Sequence, residues 1–262
     1  MTAPRVWLVT GSSSGFGRET VVQALERGDS VIATLRNPSA LSDLTTQYPR
    51  SRLRVVPLDV TSPAQIAHAF QEAKAAFGRV DVVFNNAGVE AVRFFREENA
   101  PRGGLLLQNS ATVGLVGWPA VSFYAASKHA LEGFSESLAK ELDPAWNIKV
   151  VIVEPGAFKT AVLEKNMIVA PQHPAYATPT SPAYHVRGAF LKGAGKEADT
   201  DADLHPSDPT KAVTKIIELT TLPNPPLHFP LGLDAIAAIR GKLGALAEEI
   251  DGYASWSASL AK

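Results

Sequence analysis

Thr10-Gly11-Ser12-Ser13-Ser14-Gly15-Phe16-Gly17 joins a short apolar run, Val6-Trp7-Leu8-Val9, to a segment that is helical by composition, Gly17 to Arg27. A brief apolar run that ends in a turn fits a strand buried on both faces of a parallel sheet. Glycines in a strand-to-helix turn permit a tight bend and let backbone N–H groups approach a pyrophosphate at the positive end of the helix. Glycines in a surface loop mean little, but between a first strand and a first helix they predict a dinucleotide site.

Strand and helix patterns alternate outward from that turn. Gly28 stops the first helix, and Val31 to Thr34 and Leu53 to Leu58 read as the second and third strands. Ser62-Pro63 supplies an N-cap and a first-turn proline, after which Ile66, Phe70, Ala73 and Phe77 recur at helical spacing. Val80 to Phe84 and Leu105 to Gln108 are strands four and five. Phe123 to Leu142 is a helix expected to bury Leu131, Phe134, Leu138 and Leu142, and Lys149 to Val153 is strand six. Residues 161 to 210 lack sustained periodicity and are expected to form a substrate lid. A helix at Lys211 to Leu219, a strand at Leu227 to Leu231 and an amphipathic helix carrying Ile236, Ile239, Leu243, Leu246 and Ile250 close the chain. This order predicts an α/β fold, a doubly wound parallel sheet of Rossmann type in a single domain over residues 1–262. Ligands of such sheets bind beyond the carboxyl ends of the strands.

Composition narrows the function. With 262 residues and 45% hydrophobic content the chain can bury one large core. A net charge of −1 argues against a nucleic-acid or anionic-membrane partner, which leave a basic excess. There are no cysteines, and the six histidines lack ligand spacing, so no metal site is expected. With no apolar run of spanning length and no charged-then-apolar leader, the chain reads as cytoplasmic.

The turn has the spacing Thr-Gly-x-x-x-Gly-x-Gly, and four further stretches follow it in order: Leu58-Asp59-Val60, Asn85-Asn86-Ala87-Gly88, Tyr124-Ala125-Ala126-Ser127-Lys128 and Pro155-Gly156-Ala157-Phe158-Lys159-Thr160. The set resembles the short-chain dehydrogenase/reductase family, compact single-domain type, over nearly the whole chain. The resemblance implies that Thr10, Gly11, Ser13, Gly15, Phe16 and Gly17 hold the pyrophosphate and that Asp59 and Val60 flank the adenine. Asn86, Ala87 and Gly88 would line the ribose, and Pro155, Gly156, Phe158 and Thr160 the nicotinamide side. At the end of strand two an acid would bind a ribose 2′-hydroxyl, but Thr34-Leu35-Arg36-Asn37 offers a cation. NADP(H) is therefore expected over NAD(H), with Arg36 on the 2′-phosphate. Tyr124 and Lys128, four apart on one helix face, would be the general acid/base and its partner, the ammonium lowering the phenol pKa and Lys128 also holding the nicotinamide ribose. The implied reaction interconverts a secondary alcohol and a ketone on a small hydrophobic molecule, with Trp118, Phe123, Leu163 and Met167 as apolar contacts. Phe94-Phe95-Arg96-Glu97 and Glu132-Gly133-Phe134-Ser135 resemble fungal-type reductases of secondary metabolism.

Two departures bear on activity. The family places a carbonyl-binding serine thirteen residues before the tyrosine, which here is Ala111; Ser110 matches the preceding serine and is carried as the third catalytic candidate. Neighbours on an extended strand point to opposite faces, so Ser110 or Thr112 would serve only after a backbone shift. The second departure is the connection Val89 to Gly104, which is several times shorter than the family's and lacks its long helix and water-anchoring asparagine. A parallel crossover needs about a dozen residues, so the fold is expected to form with one sheet face less covered. The family's usual homo-oligomer, built on that helix, is in doubt. Loss of one block between intact motifs reads as a skipped coding segment rather than gradual decay. The alternative function is a cofactor-binding pseudoenzyme or truncated product with little catalysis.

Overall fold

The computed structural model describes residues 4–87, 95, 102–160, 171–193, 195–198 and 206–260. Seven strands form one parallel sheet in the order β3-β2-β1-β4-β5-β6-β7: β1 Val6–Thr10, β2 Ser30–Leu35, β3 Leu53–Pro57, β4 Val82–Asn85, β5 Gly104–Asn109, β6 Ile148–Pro155 and β7 His228–Leu231. The helices are α1 Gly15–Glu26, α2 Ser42–Gln47, α3 Pro63–Phe77, α4 Ser122–Glu141, α5 Pro182–Gly193, α6 Pro209–Leu219 and α7 Leu233–Ser257. The expected doubly wound sheet is present, and no described helix is long and apolar enough to cross a membrane.

β1 is buried along its whole length because it lies at the centre of the sheet with helices on both sides. Its alternation splits the core. Trp7 and Val9 face a layer with Phe16, Val21, Ile216 and Ile217 of α1 and α6, while Leu8 faces Ile66, Phe70 and Phe95 on the α3 side. The local signals act as read. Ser62 accepts a hydrogen bond from the Gln65 N–H at 3.4 Å, Pro63 opens α3, and Gly78 ends it in the left-handed region at φ 72°.

The shortened connection still completes a parallel crossover. Val82 pairs with Leu105 and Asn85 with Gln108. Of residues 88–101 only Phe95 is described, and it is buried in the α3-side core. The sheet face expected to lose cover keeps it: β4 is buried throughout, and Leu105 to Gln108 of β5 are buried. Exposure falls on α4 instead. Its fully buried residues are Ala125, Glu132 and Ser135; of the expected ones Leu138 and Leu142 are half-buried against the α3-side core, Leu131 is half-buried, and Phe134 is 44% exposed. A correction is also needed within 161–210, where α5 forms a twelve-residue helix. Its buried residues are Gly188 and Ala189, too small to leave a periodic apolar signature. Residues 161–170, 194 and 199–205 of that stretch lie outside the described residues.

Candidate active site

The glycine turn is built for close approach. Gly11 and Gly15 hold φ of +68° and +55°, in the left-handed region that a side chain strains. A Cβ on Gly11 would come within 2.8 Å of the Ala87 Cβ, and one on Gly17 would collide with the Gly11 carbonyl. Thr10 ties the turn to strand four, its hydroxyl accepting the Ala87 N–H at 3.0 Å. At the start of α1, Ser14 makes no side-chain cap and the first turn carries no acid, which leaves a positive helix end facing the mouth of the sheet. This cradle fits the pyrophosphate of a dinucleotide. Phe16 packs edge-to-face on Phe158 at 5.3 Å, and Gly15 would meet Thr160 at 3.6 Å, so the turn and the Pro155–Thr160 segment converge from two strand ends. That segment is pinned by α7: Asp234 accepts the Ala157 N–H at 2.7 Å and sits where a Cβ on Gly156 would be.

A line of hydrogen bonds runs from the turn to the long helix. The parallel register sets Asn86 level with Asn109, just past the Asn85–Gln108 pair. The Asn86 amide donates to the Gly11 carbonyl at 3.2 Å, the Asn109 amide donates to Asn86 Oδ1 at 3.0 Å, and Lys128 Nζ donates to the Asn109 carbonyl at 2.7 Å. Asn109 was not among the expected site residues. Its signal was its place as the last residue of β5, which the register makes a bridge between two of them.

Tyr124 and Lys128 share a face, with Nζ 5.8 Å from the phenol ring centroid. The expected lowering of the phenol pKa is not found. Loss of water around Tyr124 pushes its phenol up, although 49% of the residue remains open. The ammonium is turned to the Asn109 carbonyl and lies over the ring, where it gives the oxygen little help. Desolvation lowers Lys128, and Glu132, one helical turn on, opposes that.

Ser110 does not join this pair. It is buried, and its hydroxyl lies beneath Gly114 next to the Glu132 carboxylate. Neither group makes a hydrogen bond of good geometry, though the hydroxyl favours ionised Glu132. Thr112 is committed to the Pro155 carbonyl at 3.1 Å. Ala111 packs with Val113 and Ala125, and Trp118 lies against that cluster. Phe123 is 93% exposed, while Gly88, Leu163 and Met167 lie outside the described residues. Arg36 and Asp59 emerge side by side from the ends of β2 and β3. Asp59 is held below the usual carboxylate range by the Thr61 N–H and hydroxyl, with a smaller contribution from Arg36. Its carboxylate thus builds the turn into α3, and Val60 beside it is half-buried.

Beneath the site lies a cluster that no spacing announced. Glu132 of α4, Glu154 of β6 and His228 of β7 place ligating atoms within 4.8 Å of one another, a set that a single cation could bridge. His228 Nδ1 is 2.7 Å from Glu154 Oε1 and 3.8 Å from Glu132 Oε2, and its Nε2 is 3.8 Å from Glu136. Burial pushes Glu132 up to about 7, opposed by the Ser110 hydroxyl and reinforced by Glu154; burial raises Glu154 as well. A carboxyl raised on folding binds more protons folded than unfolded between its ordinary pKa and about 7, so stability falls as pH rises through that window. The cost is complete above pH 7 and, at 1.36 kcal/mol per pKa unit, reaches at most about 3 kcal/mol. Glu132→Gln should therefore raise Tm at pH 8 and leave it nearly unchanged at pH 5. Equal Tm shifts at both pH values would show that Glu132 does not titrate in this window.

A family model described as short chain dehydrogenase matches residues 5–102 and 97–168, and the two stretches meet inside the shortened connection. The chain is similar to an uncharacterized oxidoreductase of Schizosaccharomyces pombe, 33% identical over 285 aligned positions that take in 97% of this chain and 91% of the relative. It is also similar to an oxidoreductase of Penicillium decumbens, 31% identical over 292 positions, with 98% and 93% covered. Among solved structures it is similar to a short-chain dehydrogenase from Streptomyces avermitilis, 32% identical, with a TM-score of 0.77 and 100% of each chain covered. An alignment of 285 positions that holds 97% of a 262-residue chain leaves on the order of thirty positions with no residue of this chain opposite them. The family-model match also divides within the shortened connection between β4 and β5.

Proposed function

Because this chain belongs to the short-chain dehydrogenase family and is an oxidoreductase of that family, we propose that it interconverts a secondary alcohol and a ketone on a small hydrophobic substrate with NADP(H). The observation that carries this reading is the line of hydrogen bonds from Gly11 through Asn86 and Asn109 to Lys128. It couples the cradle for the pyrophosphate to the helix that bears Tyr124. When bound, a nicotinamide dinucleotide supplies or accepts the hydride. Gly11, Gly15 and Gly17 would hold its phosphates, Phe158 and Thr160 would close the far side, and Lys128 would reach its ribose. Tyr124 delivers a proton to the substrate oxygen in reduction and removes it in oxidation. Desolvation keeps the Tyr124 phenol protonated near neutral pH, the form from which reduction starts.

Arg36 sets the phosphate preference. Its guanidinium stands beside Asp59 at the sheet edge and has no acid on β2 to occupy it. Arg36→Ala should weaken NADPH binding about tenfold, the lower end for a charge-assisted pair at an exposed site, and leave NADH binding unchanged. Titration by cofactor fluorescence separates the two, and equal losses for both cofactors would remove Arg36 from the 2′-phosphate.

A second reading, a cofactor-binding protein with little catalysis, is favoured by one feature: Ala111 where a carbonyl-binding hydroxyl is needed, with both neighbouring hydroxyls facing elsewhere. The purified chain with NADPH and a panel of ketones decides between them. Loss of absorbance at the nicotinamide band with any ketone supports the enzyme, and binding without turnover supports the second reading.

A further inference from the structure

The apolar stripe that docks α7 continues past the body of the protein. Ile236, Ile239, Leu243, Leu246, Ile250 and Tyr253 follow at alternating steps of three and four, the 3.5-residue period of a coiled-coil seam. The buried residues of α7 are Ala235 and Ile239, both in its first two turns. From Arg240 to Ser257 every residue is exposed, and the four stripe residues there leave between 39% and 62% of their surface in solvent. This segment is also a weak helix on its own. Gly241, Gly244 and Gly252 each cost about 1 kcal/mol relative to alanine in a helix interior, and lone helices of this length are marginal in water. Its stripe has the pattern of a helix that pairs.

We propose that α7 pairs antiparallel with α7 of a second copy of this chain, as a two-stranded coiled coil centred between Leu246 and Ile250. Charge sets both partner and direction. Arg240 and Lys242 flank the start of the exposed stripe, and Glu248, Glu249 and Asp251 flank its end. Antiparallel pairing brings each basic end against the partner's acidic end, with Lys242 across the seam from the partner's Glu249. Parallel pairing would put like charges level with each other. In the antiparallel register Leu246 packs on the partner's Ile250 and Leu243 on the partner's Tyr253. From Leu243 to Tyr253 the seam covers about 15 Å at 1.5 Å per residue, so the association is weak and depends on concentration. It uses no residue of the Val89–Gly104 connection and does not depend on the catalytic reading.

The chain has no cysteine, so introduced ones report without background. Leu246→Cys and Ile250→Cys chains, mixed and oxidised, should give a disulfide-linked dimer, whereas neither variant alone should. Sedimentation of the full chain should show dimer growing with concentration. Lys242→Glu should weaken it severalfold, and Lys242→Glu with Glu249→Lys should restore it. Cross-linking of Leu246→Cys by itself would mean parallel pairing and overturn the proposal. So would a chain whose mixed variants never cross-link, whether it sediments as a monomer or dimerises through another surface.

Discussion

Tyr124→Phe should abolish turnover while NADPH binding stays within about twofold of the parent chain. The substitution removes one oxygen and leaves the ring, so the contact between the ring and the Lys128 ammonium, 5.8 Å from its centroid, is kept. The glycine cradle lies at the end of β1 and is joined to α4 through Asn86, Asn109 and Lys128, and none of those bonds uses the phenol. Positioned proton transfer contributes about 10²–10⁴ in rate, and with Ser110 buried and Thr112 committed no other described hydroxyl on this stretch replaces it. NADPH consumption with the best ketone of the panel measures kcat, and fluorescence titration measures binding. Retained kcat would show that Tyr124 does not handle the proton. Loss of binding together with kcat would show that the phenol oxygen holds the cofactor site together.

What could be read in the chain beforehand depended on whether the signal was local. The turn from Thr10 to Gly17 was legible because strand, glycines and helix are consecutive, and each glycine has a backbone reason. Helix α3 was legible from Ser62, Pro63 and Gly78 for the same reason. The buried face of α4 was legible in part. Leu138 and Leu142 pack half-buried against the α3-side core as expected, but Phe134 is exposed, and the positions closest to the sheet and Gly114 are Ala125, Glu132 and Ser135. Hydrophobic periodicity reports which face is apolar, and here part of that face is turned to solvent. The Glu132–Glu154–His228 cluster was invisible because its members lie on α4, β6 and β7, and only the strand order brings them together. Isolated acids and a lone histidine carry no spacing. The phenol pKa was misjudged because i,i+4 spacing places Lys128 beside Tyr124 without saying where Nζ points.

The largest expected gain comes from Ala111→Ser. The family resemblance places a carbonyl-binding serine at this position, and the structure shows why its neighbours do not substitute. Ala111 is extended, so its neighbour Ser110 points the other way, beneath Gly114 toward Glu132, and Thr112, which opens a 3-10 turn, bonds the Pro155 carbonyl. Ala111 alone packs against Ala125, the residue next to Tyr124. A hydroxyl there would lie against the first turn of α4, the turn that bears Tyr124, and one aimed donor in an active site is worth about 10²–10³ in rate. Ala111→Ser should raise kcat by that factor and leave NADPH binding unchanged, since Ala111 packs with Val113 and Ala125 outside the glycine turn. Ser110→Ala is the contrasting variant. It should leave kcat near the parent value and push Glu132 higher still, because it deletes the hydroxyl that favours the ionised form. If Ala111→Ser gains nothing while Tyr124→Phe still loses everything, the limit lies outside this stretch, with the short Val89–Gly104 connection the first place to test by lengthening it. If Ser110→Ala alone abolishes activity, the backbone shifts during turnover to bring Ser110 into the cleft, and the buried position seen here is its resting state.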